Sequence, residues 1–309
     1  MKMLSGKGRC ALVTGARRGI GLGIAKALLA EGYRVMLCGV TAGADAVSGI
    51  RDALDALGDW TYVPCDVSDA AQREELLEAA KERFGRLDLL VNNAGVAGQE
   101  LFQDVTDEMW ERYFGVNLNG ARNTILAVLP GMLHEKSGCI VNISSMWGQH
   151  GASCEVPYSC TKHALIGLTR SLALEVAPSG IRVNCVAPGV IETDMVRVLG
   201  EETIRDLVEQ TPLGRLGKPE DIAEAVVYLA SDKASFGRSI CALRCVSVPC
   251  CQSHPRHARS RAARRPLQIP SAGTAAARAG RRGRRGARCA LRCCRCAGQQ
   301  SIRRGNRCR

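Results

Sequence analysis

The chain alternates short, nearly all-apolar runs with longer segments whose apolar residues recur every three or four positions. The short runs are Cys10-Ala11-Leu12-Val13, 34–38, 61–65, 87–91, 139–143 and 182–186. Runs of that length read as strands, and 87–91, nearly all apolar, as one buried on both faces. Between them, 22–30 places Ile24, Leu28 and Leu29 at helical spacing, and 69–84 reads as a charged helix. Further helices are predicted around 108–133, over 157–177 and over 220–230. Strand alternating with helix over this length predicts an α/β fold with a doubly wound parallel sheet. Ligands of such sheets sit at the carboxyl ends of the strands.

The first strand runs into Thr14-Gly15-Ala16-Arg17-Arg18-Gly19-Ile20-Gly21 and then into a helix. Strand, glycine-rich turn and helix is the context a phosphate-binding motif needs. Glycines let the backbone approach a pyrophosphate, and the helix start offers unpaired N–H groups and a partial positive charge. The spacing Gly-x-x-x-Gly-x-Gly differs from the Gly-x-Gly-x-x-Gly fingerprint. With its flanks in place it predicts a Rossmann-type dinucleotide site. The second strand ends in Cys38-Gly39-Val40-Thr41, with no carboxylate to hold the 2′-hydroxyl of NAD. Arg17 and Arg18 can meet a 2′-phosphate, which suits the guanidinium fork. Both facts favour NADP(H); the plainer alternative is that one or both arginines are solvated loop residues.

Candidate chemistry gathers at the later strand ends. The fourth strand leads into Asn92-Asn93-Ala94-Gly95, and the fifth into Ser144-Ser145-Met146-Trp147-Gly148, followed by Tyr158-Ser159-Cys160-Thr161-Lys162. Residues four apart on a helix share a face, so Tyr158 and Lys162 are neighbours. At ~4 Å and an effective dielectric of ~20, a lysine attracts a phenolate by roughly 4 kcal/mol. That predicts a Tyr158 pKa lowered by up to ~3 units, into the range of useful proton transfer to a carbonyl. Each residue also has a plainer role. Asn117 alone reads as a helix or turn asparagine, Ser144 or Ser145 as a loop serine, and Asp66 or Asp69 as a helix cap. Asn92 suits bonding between strands, and His163 a helix surface. Met146 and Trp147 fit a pocket or simple packing equally. The cysteines at 10, 38, 65, 139, 154, 160 and 185 read as small buried hydrophobes. None has metal-ligand spacing, and no metal is assigned.

Together, Thr14-Gly-x-x-x-Gly-x-Gly21, Asn92-Asn-Ala-Gly95, Asn117, Ser145, Tyr158-x-x-x-Lys162 and Pro188-Gly189 resemble the short-chain dehydrogenase/reductases in order and spacing, over 7–236. The stretches 188–195 and 212–221 are similar to the 3-oxoacyl-acyl-carrier-protein reductase type. The stretch 147–156 is similar to the elongation factor P 5-aminopentanone reductases of Gram-positive bacteria. The resemblance implies an NADPH-dependent oxidoreductase that reduces a ketone, carried on acyl carrier protein or on elongation factor P. It implies Tyr158 as general acid and Lys162 as the group that lowers its pKa and holds the nicotinamide ribose. Ser145 would donate to the substrate oxygen, and Asn117 would fix a proton-supplying water. Gly15, Ala16, Arg17, Arg18, Gly19, Ile20 and Gly21 would form the phosphate turn. Asp66 and Val67 would face the adenine, and Asn93, Ala94 and Gly95 would line the adenosine side. Pro188, Gly189, Ile191 and Thr193 would stand at the carboxamide end.

The pattern stops at Phe236. From Gly237 onward the chain holds 19 of its 42 basic residues and none of its 30 acidic ones, with 9 cysteines. The body thus carries 23 basic against 30 acidic residues, and the net +12 describes two unlike pieces. Four readings of 237–309 stand open: a shifted reading frame, a disordered basic arm for nucleic acid, a zinc site among Cys289, Cys293, Cys294 and Cys296, or disulfides. The tail is expected to be disordered and the family's last strand to be missing, which limits assembly to a homodimer and argues against a tetramer. The polar start gives no signal peptide, and no apolar run spans a membrane, so a cytoplasmic enzyme is expected. The inactive alternative is a truncated NADPH-binding module.

Overall fold

In the computed structural model, residues 6–197, 200–235 and 241–244 are described. Six strands appear where the apolar runs predict them: β1 Cys10–Thr14, β2 Arg34–Gly39, β3 Trp60–Pro64, β4 Leu89–Asn92, β5 Gly138–Ile143 and β6 Ile181–Ala187. Helices α1 Gly19–Ala30, α2 Ala44–Leu54, α3 Ala70–Phe84, α4 Asp107–Phe114, α5 Ala121–Glu135 and α6 Val156–Val176 lie between them. The short α7 Asp194–Arg197, α8 Glu201–Gln210 and α9 Pro219–Ala230 follow β6. All strand pairings are parallel, in the order β3-β2-β1-β4-β5-β6 with a seventh strand at the β6 edge.

That seventh strand, β7 Cys241–Arg244, corrects the expectation of a missing last strand. It pairs with β6 through Cys185↔Cys241, Val186↔Ala242 and Ala187↔Arg244, with a register irregularity at Val186/Ala187. Strand pairing uses backbone groups, so a segment unlike the family's can still add to the edge when its local sequence tolerates extension. The remainder of the expected tail, including the arginine run and the cysteine cluster, lies outside the described residues.

Alternation along the strands divides the core in two. Ala11, Val13, Val35, Leu37, Leu89, Val91, Val141 and Ile143 face α1, α2 and α9. Leu12, Met36, Leu90 and Ile140 face α3, α5 and α6. A polar ladder crosses the second layer. Thr124 Oγ1 donates to Asn92 Oδ1 (2.7 Å), Asn92 Nδ2 to Asn142 Oδ1 (2.9 Å), and Asn142 Nδ2 to Thr169 Oγ1 (2.9 Å). Asn92 thus bonds neighbouring strands, and each buried polar atom in the ladder finds a partner, as burial demands. The strand order reverses direction between β1 and β4, which opens a crevice at their carboxyl ends.

Candidate active site

The crevice is a cavity of about 750 Å³, a size that suits a cofactor. The loop after β1 forms one wall. Gly15 and Gly19 have φ of 62° and 54°, the left-handed region open to glycine. Arg18, the residue before α1, is extended and puts no side chain on the helix amides, so the first turn of α1 keeps its donors for a ligand. Gly15, Arg17, Arg18, Gly19 and Ile20 line the cavity. Ala16 is fully buried beneath the turn. Gly21 is packed so closely on Gly15 and Asn93 that no side chain fits.

Thr14 and Asn93 clamp the two loops together. Thr14 Oγ1 accepts from the amides of Asn93 and Ala94, both at 3.0 Å. Asn93 Nδ2 donates to the carbonyls of Thr14 (2.9 Å) and Gly15 (3.0 Å). Asn93, Ala94 and Gly95 line the cavity beside these bonds, as do Asp66 and Val67 across it. Asp66 Oδ1 accepts from the Ser68 amide and hydroxyl, while Asp69 caps α3 by accepting from Gln72 N. At the end of β2, the Tyr62 hydroxyl lies 2.9 Å from the Gly39 carbonyl and 2.8 Å from that of Thr41. Those contacts fix the loop next to Arg17; Tyr62 escapes a sequence reading because its partners are distant in the chain.

Ser145, Tyr158 and Lys162 converge at the opposite end. Ser145 stands close enough to Tyr158 to pull on its phenol, and its Oγ accepts from Trp147 N at 3.1 Å. Ser144, rather than Ser145, borders the dinucleotide cavity, and its hydroxyl donates to the Lys162 carbonyl at 2.9 Å. Lys162 is 4% exposed. Its Nζ donates to the Ile143 carbonyl at 2.9 Å and lies 5.6 Å from the Tyr158 ring centre. This corrects the expected lowering of the tyrosine. Burial pushes the Tyr158 phenol up to about 12, against a pull from Ser145, and Lys162 is not among the groups that shift it. The i, i+4 spacing brings the two Cβ atoms together, but a four-carbon stem lets the ammonium turn to a strand carbonyl.

Asn117 sits in a π-helical turn, Gly115–Gly120, between α4 and α5. Such turns recur at functional sites because they shift the hydrogen-bond register. Asn117 is buried, its Oδ1 accepting from Val96 N (2.7 Å) and its Nδ2 donating to Val96 O (3.0 Å) and Thr161 Oγ1 (3.2 Å). Thr193 lines the cavity. Pro188, Gly189 and Ile191 do not: the Pro188 carbonyl accepts from Met146 N at 2.8 Å, and Ile191 is buried in the core. They stand behind the wall rather than in it. His163 is exposed on α6, with Nδ1 2.9 Å from the Ser159 carbonyl. Cys10, Cys38, Cys65, Cys139 and Cys185 are buried, Cys154 is half-buried and Cys160 is exposed.

The buried lysine has a stability consequence. Burial pushes its ammonium down to about 8, below the ordinary lysine value of about 10.4. The native state therefore binds this proton more weakly than the unfolded chain, and stability rises with pH between those values. The cost is fully present at pH 7. Lys162→Met should gain about 1–3 kcal/mol at pH 7, seen as a higher Tm by scanning calorimetry, with the gain shrinking near pH 10 and turnover lost.

The family model described as "Enoyl-(Acyl carrier protein) reductase" matches residues 15–238. The 3-oxoacyl-[acyl-carrier-protein] reductase FabG of Salmonella typhimurium is 41% identical over 233 residues, covering 75% of this chain and 94% of that protein. The chain belongs to the short-chain dehydrogenase/reductase family. The FabG of Escherichia coli is 41% identical over 230 residues, 74% of this chain and 93% of its own. The crystal structure of a 3-oxoacyl-[acyl-carrier protein] reductase from Brucella melitensis superposes with a TM-score of 0.70 at 37% identity, covering 76% of this chain and 89% of the other. This short-chain dehydrogenase/reductase is thus an oxidoreductase acting on CH–OH groups, and NADP(H) is the cofactor of its relatives. The glycine cradle, the uncapped start of α1 and the volume of the crevice fit a dinucleotide of that kind. Among the described residues no helix is long and apolar enough to cross a membrane.

Proposed function

We propose that the protein reduces the ketone of a 3-oxoacyl group carried on acyl carrier protein, using NADPH. The observation that carries this reading is the convergence of Ser145, Tyr158 and Lys162 at one end of a dinucleotide-sized crevice. The named relatives favour the acyl thioester over the elongation factor P ketone. The cofactor supplies the hydride. Tyr158 gives its proton to the ketone oxygen, and Ser145 donates a hydrogen bond to that oxygen as charge develops. Lys162 holds the ribose, and Asn117, fixed by both polar groups of Val96, orders the water path that returns a proton. Raised by burial to about 12, the phenol carries its proton at pH 7, the form from which a general acid starts. Exposed Leu126 and Leu133 on α5 and Leu174 on α6 support pairing with a second copy of the chain.

Arg17 and Arg18 serve the 2′-phosphate. Both line the cavity, and Arg17 lies across from Gly39 at the carboxylate-free end of β2. Arg18 is exposed, with Asp194 3.8 Å away, a weak surface pair that leaves it free to turn. The double substitution Arg17→Ala, Arg18→Ala should lower the NADPH-to-NADH ratio of kcat/KM by about 10–100-fold, one or two charge-assisted contacts' worth. The test of the reaction itself is NADPH consumption with a 3-oxoacyl thioester. No turnover on acyl carrier protein or on the free thioester would overturn the reading.

A further inference from the structure

The loop that carries Ser145 is fastened to α6 at two points. Ser144 Oγ donates to the Lys162 carbonyl at 2.9 Å. Ser159 Oγ donates to the Trp147 carbonyl at 2.7 Å, with the His150 carbonyl at 3.4 Å. Positions 159 and 162 are three apart and share a face of the helix, and that face meets the loop. The packing there is close. A Cβ at Gly148 would collide with the Ser144 hydroxyl and stand 2.7 Å from the Lys162 carbonyl oxygen. Both serines are buried, where a carbonyl deprived of its donor is costly.

Trp147 links the second fastening to the site, because the peptide units on both sides of it bond to Ser145. The Trp147 N–H donates to Ser145 Oγ at 3.1 Å. The next unit joins the Trp147 carbonyl to Gly148 N, which donates to the Ser145 carbonyl at 2.9 Å. Ser159 holds that second unit by its oxygen. A turn of the Trp147 backbone that swung its N–H away from Ser145 would thus have to break the Ser159 bond as well. While the N–H stays in place, it occupies one lone pair of the Ser145 oxygen, and the hydroxyl keeps its own proton to donate. Ser159 lies outside the wall of the dinucleotide crevice. It follows Tyr158 directly on α6, so the proposed acid and the group that fastens the loop share one rigid element.

We infer that Ser159 is a positioning residue for Ser145: by holding the Trp147 carbonyl it keeps the Trp147 N–H on Ser145 Oγ, and so fixes the direction in which the Ser145 hydroxyl meets the ketone. This role rests on the reaction proposed above.

A double-mutant cycle with Ser145→Ala separates it from a merely structural one. Activity is read as NADPH oxidation with 3-oxobutyryl-N-acetylcysteamine, each variant being confirmed folded by its melting curve. Ser159→Ala should lower kcat by about 5–10-fold, the worth of one hydrogen bond, with the NADPH dissociation constant unchanged within about twofold. In the Ser145→Ala background the same change should cost less than about twofold, because no hydroxyl is left to direct. Ser159→Cys, whose thiol is a weak donor, should fall between the wild type and Ser159→Ala, and it carries the cycle if the alanine variant does not fold. An equal loss in both backgrounds, or an unchanged kcat in Ser159→Ala, would overturn the inference. A wild type inert to the thioester defeats the proposed reaction but leaves the fastening open to a second measurement. Amide hydrogen exchange at Trp147, followed by NMR, reports the bond to Ser145 directly. It should quicken at least about fivefold in both Ser145→Ala and Ser159→Ala, and an unmoved rate in Ser159→Ala would refute the role.

Discussion

Tyr158→Phe should lower kcat for ketone reduction by about 10²–10⁴-fold, the contribution of a positioned general acid, while the NADPH dissociation constant stays within about twofold. The substitution removes one oxygen. Tyr158 borders the crevice, but the phosphate turn and the Thr14–Asn93 clamp lie at its other end and keep their bonds. Ring packing is retained, so Tm should shift little. Steady-state NADPH oxidation and fluorescence titration of NADPH separate the two effects. If Tyr158→Phe kept more than about a tenth of the activity, Ser145 or a bound water would have to be the acid. Loss of NADPH binding in step with turnover would instead make Tyr158 a cofactor contact. The wild-type reduction rate should itself fall only weakly up to pH 9, because burial keeps the phenol protonated well beyond that range.

Parts of this site are legible in the sequence because local rules determine them. Apolar runs of strand length fix β1, β4 and β5, whose residues are buried throughout or nearly so. The glycine turn declares itself because Gly15 and Gly19 need backbone angles other residues avoid. Helix α2 escapes notice: Ala44–Leu54 is short and buries chiefly Ile50 and Leu54, too little apolar pattern to stand out.

What depends on where a flexible side chain ends is not legible. Spacing predicts that Lys162 and Tyr158 are neighbours, yet the direction of the ammonium is decided by the Ile143 carbonyl, 19 residues earlier. Asn117 is visible as a motif residue, but its partners at Val96 and Thr161 belong to other elements. The last strand is misjudged for a related reason. The sequence after Phe236 departs from the family, but edge pairing at β6 asks only for an extended backbone.

Gly21→Ala should abolish dinucleotide binding, by at least about 10²-fold, and lower Tm by several degrees. A Cβ at Gly21 would collide with the Gly15 carbonyl oxygen, and would stand 2.6 Å from Asn93 Nδ2 and 2.7 Å from Ala16 Cα. Two of those atoms are backbone. The third belongs to an amide already committed to the Thr14 and Gly15 carbonyls. None can give way cheaply, so the added methyl must lever the glycine turn off α1, at a cost of about 1–3 kcal/mol. The turn that moves is the one whose uncapped amides would hold the phosphates. Gly49→Ala is the matched control. Gly49 lies in α2 with nothing within 4 Å of a new Cβ, and alanine there should stabilise by about 0.5–1 kcal/mol without touching affinity. Thermal melts and NADPH titrations of both variants check the pair. If Gly21→Ala bound NADPH normally, the close packing of Gly21 on Gly15 would not govern the phosphate turn. Opposite signs for the same glycine-to-alanine change would show that the requirement at Gly21 comes from its contacts, not from helix propensity, which favours alanine at both positions.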